Sequence, residues 1–300
     1  MRGTRRLRHT DDFVVGTHVR NQVPQQFIPA CQREFVCEAL LAYFAHRALG
    51  DALEPGAEAT GQVTIAGRLV ARRGQGKTVF ADVEDRSGTV QAWATLDRLG
   101  DDGLSLLAGA HLGDIIGVRG TVVRTRRGEI SVAADSVEML AKALRPPPDR
   151  HAGLTDPETR YRQRYLDLMA SEDVRSQFVM RARAISGVRR FLDSRGFIEV
   201  ETPALQPIYG GAAARPFVTH HNEQGRDLFL RIATELYLKR CIVGGLEKVY
   251  ELGKDFRNEG VSFKHNPEFT MLETYEAYAD YEDVAAMLEE MVSAAAVEAT

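Results

Sequence analysis

The sequence has no apolar run approaching the ~20 residues that a membrane-spanning helix needs. Its basic start, Met1-Arg2-Gly3-Thr4-Arg5-Arg6-Leu7-Arg8, is not followed by the apolar stretch of a secretory signal. Both absences predict a cytoplasmic protein without a membrane partner. Cysteine is scarce: Cys31, Cys37 and Cys241 cannot all pair, and their spacing fits no familiar zinc pattern, so they read as reduced thiols. A strong charge of one sign is lacking as well, the net being −4. That balance is uneven, however. Residues 1–150 carry 20 Lys and Arg against 18 Asp and Glu, leaving 18 against 24 for residues 151–300, so the first half is the better candidate for a polyanion partner. What remains is a globular composition, 44% hydrophobic and 27% charged over 300 residues, enough for one large or two ordinary domains.

Residues 1–55 read as an N-terminal extension. Gln32–Leu49 has helical spacing, with Phe35, Leu40, Leu41 and Phe44 apolar, while the basic start has no pattern. Residues 56–145 change to short strands. Val63–Val70 alternates, Thr78–Val83 follows a Gly74-Gln75-Gly76 turn, Ser87-Gly88 leads into Thr89–Trp93, and Ile115–Arg124 and Ile130–Met139 complete five. The economical architecture is a five-stranded barrel of the oligonucleotide-binding kind, the OB-fold. Gly76-Lys77-Thr78 is no phosphate loop, because position 71 is alanine and no helix follows. Arg68, Arg72, Arg73 and Lys77 cluster near the first hairpin, and Arg119, Arg124, Arg126 and Arg127 near a later one. Cations beside an exposed aromatic suit single-stranded nucleic acid, whose phosphates need charge and whose bases need a flat surface. A barrel with arginine-rich turns and a core Phe80 accounts for the same residues.

Residues 146–172 form a linker that opens on Pro146-Pro147-Pro148 and contains the basic, aromatic string Arg160-Tyr161-Arg162-Gln163-Arg164-Tyr165-Leu166-Asp167-Leu168. Beyond it, Phe178, Ile185, Val188, Phe191 and Leu192 predict a helix over 173–195 that stops at Gly196, and Phe197–Pro203 reads as an extended segment. Gly210-Gly211 allows close backbone approach. His220-His221 invites a metal reading, but adjacent residues on a strand face opposite ways, which favours structural roles. Arg231–Arg240 begins a helix with Thr234 as its cap.

The densest chemistry lies in Lys248–Ala279, two strand-like halves around a polar turn that ends in Asn266-Pro267. Parity puts Val249, Glu251, Gly253, Asp255 and Arg257 on one face of the first strand, and Phe269, Met271, Glu273 and Tyr275 on one face of the second. Arginine matches phosphate or carboxylate oxygens, an aromatic face stacks on a base, and carboxylates fix amino groups. A nucleotide with an amine-bearing substrate meets all three; a solvated hairpin with alternating charges is the plainer reading.

The strings Phe256-Arg257-Asn258-Glu259-Gly260 and His265-Asn266-Pro267-Glu268-Phe269-Thr270 resemble motif 2 of the class II aminoacyl-tRNA synthetases. The run from Glu273 to Tyr281 and the Gly210–Asn222 string are most similar to the bacterial lysine branch. The helix and Pro203-terminated strand resemble motif 1, the dimer-forming element. The resemblance implies an α+β chain, an OB-fold barrel followed by an incomplete antiparallel-sheet catalytic domain over 173–300. It implies a homodimer that joins L-lysine to tRNA-Lys through lysyl-adenylate, with ATP as substrate and Mg2+ as its companion. By position, Arg257 bridges the α-phosphate and the substrate carboxylate, Glu259 faces the adenine amino group, Phe269 stacks on the ring, and His265 touches the outer phosphates. Gly211 and Glu235 hold the α-amino group, and Glu273 and Tyr275 approach the side-chain ammonium. Phe80 stacks on an anticodon base, Gln91 reads its edge, and Arg68 lies nearby. No metal ligand is expected in this chain.

The sequence departs from the family after Tyr281. No arginine follows Arg257, so the arginine of motif 3 is missing, as are the late acidic magnesium ligands. A fragment with little activity alone is the expectation. A non-catalytic RNA-binding relative, or an enzyme that passes lysine to an acceptor other than tRNA, are the alternatives. An aspartate or asparagine enzyme gives no reason for the Glu235 and Glu273 pair.

Overall fold

The computed structural model describes residues 50, 52–74, 76–150 and 152–300. Cys31, Cys37 and the expected Gln32–Leu49 helix lie outside them. The chain divides into two compact units at Leu154/Thr155.

In the first unit, strands β1 (Glu58–Arg73), β2 (Thr78–Asp85), β3 (Gly88–Thr95), β4 (Ile115–Arg124) and β5 (Ile130–Ala141) form a closed barrel in the order β1-β2-β3-β5-β4. All are antiparallel neighbours except β3 and β5, which run parallel. Strict alternation drives closure. Val79, Ala81 and Val83 of β2 and Val90, Ala92 and Ala94 of β3 point inward and are buried, whereas Thr78, Phe80, Gln91 and Trp93 are only partly covered. With Leu69, Ile116, Val118 and Val132 they make one continuous core. Closure leaves no unpaired edge.

Helix α1 (Leu96–Gly109) plugs this core with Leu104 and Leu107. The strand pattern gives no sign of it, because Gly100 and Gly103 lower its helix propensity and the helix breaks at Gly100, where φ is 73°. Its C-terminal end explains part of the arginine cluster. Arg72 Nη1 donates to the carbonyls of Ala110 at 2.7 Å and Leu107 at 3.4 Å, and to that of Ala108. A cation there offsets the negative end of the helix and supplies donors to its last carbonyls, that of Leu107 also taking the Ala110 N–H. Arg68 Nη1 holds the Gly113 carbonyl at 2.9 Å, and Arg124 Nη1 holds that of Leu53 at 3.0 Å. Much of the positive cluster is thus tied to the barrel's own backbone.

The second unit begins with α2 (Pro157–Arg162) and α3 (Arg164–Ala170), where the basic string folds onto its own acid: Asp167, 2% exposed, takes Arg160 Nε at 3.0 Å and also Arg164. Helix α4 spans Glu172–Ser194, capped by Ser171 and ended at Gly196 with φ 79°, within a residue of the expected span. Strand β6 (Ile198–Glu199) follows and joins β10 (Lys248–Phe256) in parallel; β11 (Glu268–Glu276) lies antiparallel on the other side of β10. Three short strands, β7 (Leu205–Gln206), β8 (Val218–His221) and β9 (Arg226–Leu230), make a second sheet in the order β7-β9-β8. Helix α5 (Glu235–Val243) leads into β10, and α6 (Tyr281–Ala299) follows β11, opened by an Asp280/Asp283 capping box.

Helices α4 and α6 pack together against one face of the β10–β11 hairpin through Leu192, Phe197, Tyr250, Met287 and Met291, with Leu252 and Leu272 alongside. They meet at Gly187, where any Cβ would come within 2.9 Å of Glu298 Cβ. Tyr250 is fully buried, its hydroxyl 3.0 Å from Asp193 Oδ1 and 3.2 Å from Glu199 Oε2. Burial and these carboxylates hold its phenol far above the ordinary range, so it remains a hydrogen-bond donor. The opposite face of the hairpin is left for polar groups.

Replacing Arg72 by Ala should leave the barrel folded but destabilised by about 1–2 kcal/mol, the value of charge-assisted bonds at a helix terminus. Urea unfolding of the isolated chain and its variant measures this.

Candidate active site on the hairpin face

The observed register fulfils the parity argument. Val249 opposes Tyr275, Glu251 opposes Glu273, Gly253 opposes Met271 and Asp255 opposes Phe269. Two carboxylates directly across a strand pair repel each other, and here a third, Asp255, stands four residues from Glu251 on the same face. Arg231 compensates them. It sits between β9 and α5, 5% exposed, with Nη1 on Glu251 Oε1 and Nε 3.2 Å from Asp255 Oδ1. The same side chain donates to the carbonyls of Lys254 at 2.8 Å and Thr202 at 3.1 Å. Its own N–H donates to Ala204 O, and its carbonyl accepts from Phe256 N. Thr202 completes the set by donating its hydroxyl to Glu251 Oε2 at 2.6 Å. A Cβ at Gly253 would collide with the guanidinium, so glycine here is a requirement of close approach.

The sequence reading capped the following helix with Thr234. The helix does start at Glu235, and Thr234 occupies the N-cap position, but without a side-chain cap bond. Its N–H donates to Glu273 Oε1 at 3.1 Å, and its hydroxyl is buried with no partner. The Glu273 carboxylate thus serves the N-cap N–H, the bond that the third residue of a capping box would otherwise make.

Around Glu273 lie Tyr275, Gly211 and Glu235, three more of the residues singled out in the sequence. Tyr275 hydrogen-bonds Glu273, and burial, then the charges of Glu273 and Glu235, push its phenol up to about 12. Gly211, at φ 87°, lies against the start of α5: an added Cβ would meet Glu235 Cβ at 2.8 Å and Ala233 Cβ at 3.1 Å. Glu235 Oε1 accepts from Lys239 Nζ at 2.6 Å, and that ammonium lies 6.0 Å from the Tyr275 ring centroid. The arrangement can receive ammonium groups.

At the other end of the face, the Arg257 guanidinium lies 5.1 Å from the Phe269 ring centroid, and its Nε is buried without a partner. Arg257 N donates to Pro267 O at 2.9 Å, closing the loop. Glu259 Oε1 accepts from Arg215 N at 3.3 Å while Asn258 N donates to Arg215 O at 2.8 Å, so the Gly210–Pro216 segment is fastened to the hairpin tip. His265 is not brought to Arg257. It is exposed in a tight loop, its Nδ1 2.8 Å from Ser262 Oγ. His220 pairs with Asp227 across β8 and β9 at 2.8 Å, and His221 Nδ1 accepts from Gln224 N. Among the described residues, no three His, Cys, Asp or Glu side chains are grouped to hold a metal ion.

Asp255 has no exposed surface, and neither carboxylate oxygen has a hydrogen bond. Burial and the charges of Glu273 and Glu251 outweigh Arg231 and Arg257 and raise its pKa to about 6. Because the folded form takes the proton more readily than the unfolded chain, the contribution of this group to stability falls as pH rises from about 4 to about 6.

On the barrel, Phe80 and Trp93 are register partners with nearly coplanar rings, 6.5 Å between centroids and 9° between planes. Gln91 is the next outward residue on β3, its Oε1 accepting from Ser131 Oγ at 3.0 Å, which leaves its amide N–H2 to donate. Arg68 pairs in register with Glu84, farther along the face, and is turned to Gly113. Trp93 was not singled out by sequence reasoning, although its parity with Gln91 marks it as outward.

Residues 156–300 match the family of class II tRNA synthetases (D, K and N), and residues 63–140 match the OB-fold nucleic acid binding domain. With motif 2 on the hairpin and the barrel before it, the second unit belongs to the class II tRNA synthetases of the D, K and N group and the barrel to the OB-fold nucleic acid binding domains. The chain's curated relatives point to one member of that group. Lysine-tRNA ligases of Moorella thermoacetica, Pelotomaculum thermopropionicum and Bacillus subtilis are 58%, 56% and 55% identical over 238, 237 and 232 residues. Those stretches cover 79%, 79% and 77% of this chain, but 49%, 47% and 46% of the relatives. The chain spans about half the length of the curated relatives it matches.

Gly253→Ala should displace Arg231 and leave Glu251 and Asp255 buried without their cation. The expected loss is on the order of 3–5 kcal/mol, confined to the second unit, by denaturant unfolding. A variant as stable as the parent would show that the buried arginine is dispensable.

Proposed function

We propose that this chain supplies the anticodon-binding barrel and the motif 1 and motif 2 machinery of a lysine-activating synthetase that charges tRNA-Lys. The observation that carries the reading is the hairpin face itself, with an arginine and an aromatic at one end and carboxylates and a phenol at the other. The lysine carboxylate attacks the α-phosphorus of ATP, giving lysyl-adenylate and pyrophosphate, and the lysyl group then passes to the 3′ end of the tRNA with release of AMP. Such chemistry depends on positioning and on neutralising charge at the transferring centre.

Arg257 bridges the α-phosphate and the lysine carboxylate, with its guanidinium held over Phe269, which stacks on adenine beside Glu259. His265 reaches the outer phosphates from the exposed loop. Gly211 and Glu235 receive the α-ammonium; Glu273 and Tyr275 receive the side-chain ammonium, which a neutral amino acid would leave unpaired. Magnesium accompanies ATP in this reading. On the barrel, Phe80 stacks on a base, Gln91 donates to its edge, and Arg68 contributes charge.

A homodimer belongs to this reading through the α4–β6 segment, which carries exposed apolar side chains at Phe178, Met180 and Ile198. No helix among the described residues is long and apolar enough to cross a membrane. A cytoplasmic location agrees with that.

Lysine-dependent ATP–pyrophosphate exchange tests the reading, measured on this chain and on the same chain joined to the C-terminal half of a lysine-tRNA ligase relative. Exchange in the joined protein that Arg257→Ala lowers by at least about 100-fold is expected. Unchanged exchange would remove Arg257 from its role. Phe80→Ala should weaken tRNA-Lys binding by about 1–3 kcal/mol in a filter-binding assay and leave exchange intact; loss of exchange instead would contradict the division of labour between the units.

A further inference from the structure

Arg257 is the hairpin's candidate anion contact, yet nothing in the family motif explains what holds its guanidinium. Its Nε is buried and makes no hydrogen bond. Its side chain leans over Phe269, and the cross-strand partner of Phe269 is Asp255, two residues before Arg257 and on the same face. Asp255 is fully buried, its two oxygens free of hydrogen bonds. A carboxylate buried in this way retains a strong field, because the low-dielectric surroundings screen it little. Four charged groups face it: Arg231 from the segment before α5, Glu251 and Arg257 from β10 and its end, and Glu273 from β11. Arg231 Nε fixes one side of Asp255 at 3.2 Å. Arg257 is the remaining cation.

We propose that Asp255 is a positioning residue: anchored by Arg231, its carboxylate draws the Arg257 guanidinium against Phe269 and so presets the arginine for its anionic ligand. Arg231, Asp255, Phe269 and Arg257 form one relay from the interior to the surface of the site. Protonation of Asp255 releases Arg257. Since burial and the neighbouring carboxylates raise the pKa of Asp255 to about 6, the release falls within an accessible pH range.

The relay is tested without any ligand by nitrogen NMR of the arginine side chains, with Arg257 assigned from an Arg257→Lys spectrum. The Arg257 Nε–H signal of the parent should shift with a midpoint near pH 6, and Asp255→Asn should abolish that shift. A shift that persists in Asp255→Asn, or none in the parent, overturns the proposal, and the parent titration decides even if the variant fails to fold. The second arm rests on the nucleotide reading given above and uses ATP as probe in calorimetry. At pH 8, Asp255→Asn should bind ATP more weakly by on the order of tenfold, the equivalent of one pKa unit of coupling, and the two proteins should converge at pH 5.5. Tighter binding by the variant would mean that Asp255 only subtracts charge, and overturns positioning. If neither protein binds ATP while the NMR titration follows Asp255, the relay stands and the nucleotide reading fails.

Discussion

The second unit depends on one buried guanidinium. Placing Glu251, Asp255 and Glu273 on a single sheet face is costly, because removing carboxylates from water and setting them side by side are both unfavourable. Arg231 makes the arrangement tenable, and in doing so it fastens three separate pieces of chain. The segment after β6 is held through Thr202 and Ala204, the hairpin through Glu251, Lys254 and Phe256, and the start of α5 by being continuous with Arg231 itself. Electrostatic compensation and backbone assembly are here the same act. The apolar face of the hairpin, packed on α4 and α6, could be rebuilt with other side chains of similar volume; the polar face admits far fewer substitutes.

The barrel shows the converse relation between charge and structure. Its arginines were read from sequence as an electrostatic surface, and several of them are ties to carbonyls. Arg72 closes α1, Arg124 reaches Leu53, and Arg68 binds Gly113. What the outer sheet surface offers a nucleic acid is chiefly flat: Phe80 and Trp93 side by side, and Gln91 with an unused donor. Stacking tolerates many bases, whereas a single amide donor discriminates among their edges. A base on this surface would be held by the rings and chosen by the amide.

The hairpin face was legible because strand parity is rigid: once Lys248–Phe256 and Glu268–Glu276 pair, every second residue is committed to one side, and Glu251, Asp255, Phe269 and Glu273 had to meet. The barrel strands were legible for the same reason, and α4 from its apolar spacing and the glycine that ends it. Arg231 was not, because it lies in an irregular connection where no period operates and its partners are up to 29 positions away. Gly253, between two carboxylates on an inward face, was the available hint, since a glycine inside a strand marks something passing close by. Thr234 illustrates a different limit. The residue type favours a side-chain cap, but the hydroxyl makes none, and Glu273 comes from another strand to serve the Thr234 N–H. Helix α1 went unseen because its glycines disguise a helix whose stability comes from Leu104 and Leu107 closing the barrel.

The ring closure of the barrel also sets an order of assembly during synthesis. Strand β1 pairs on one side with β2, its immediate successor, and on the other with β4, where Thr64 and Arg119 are 55 positions apart. Pairings that distant form slowly, because chain entropy is lost before contacts compensate for it. Everything the barrel needs nonetheless precedes Thr155, so it can close while the rest of the chain is still being made. The second unit has no such independence. Its organising arginine awaits Glu251 and Asp255, and the Thr202 segment stays unfastened until the first strand of the hairpin has emerged. During synthesis the barrel can therefore fold while the stretch from Thr202 to the hairpin is still unfastened, the interval in which chaperones and proteases meet exposed polypeptide.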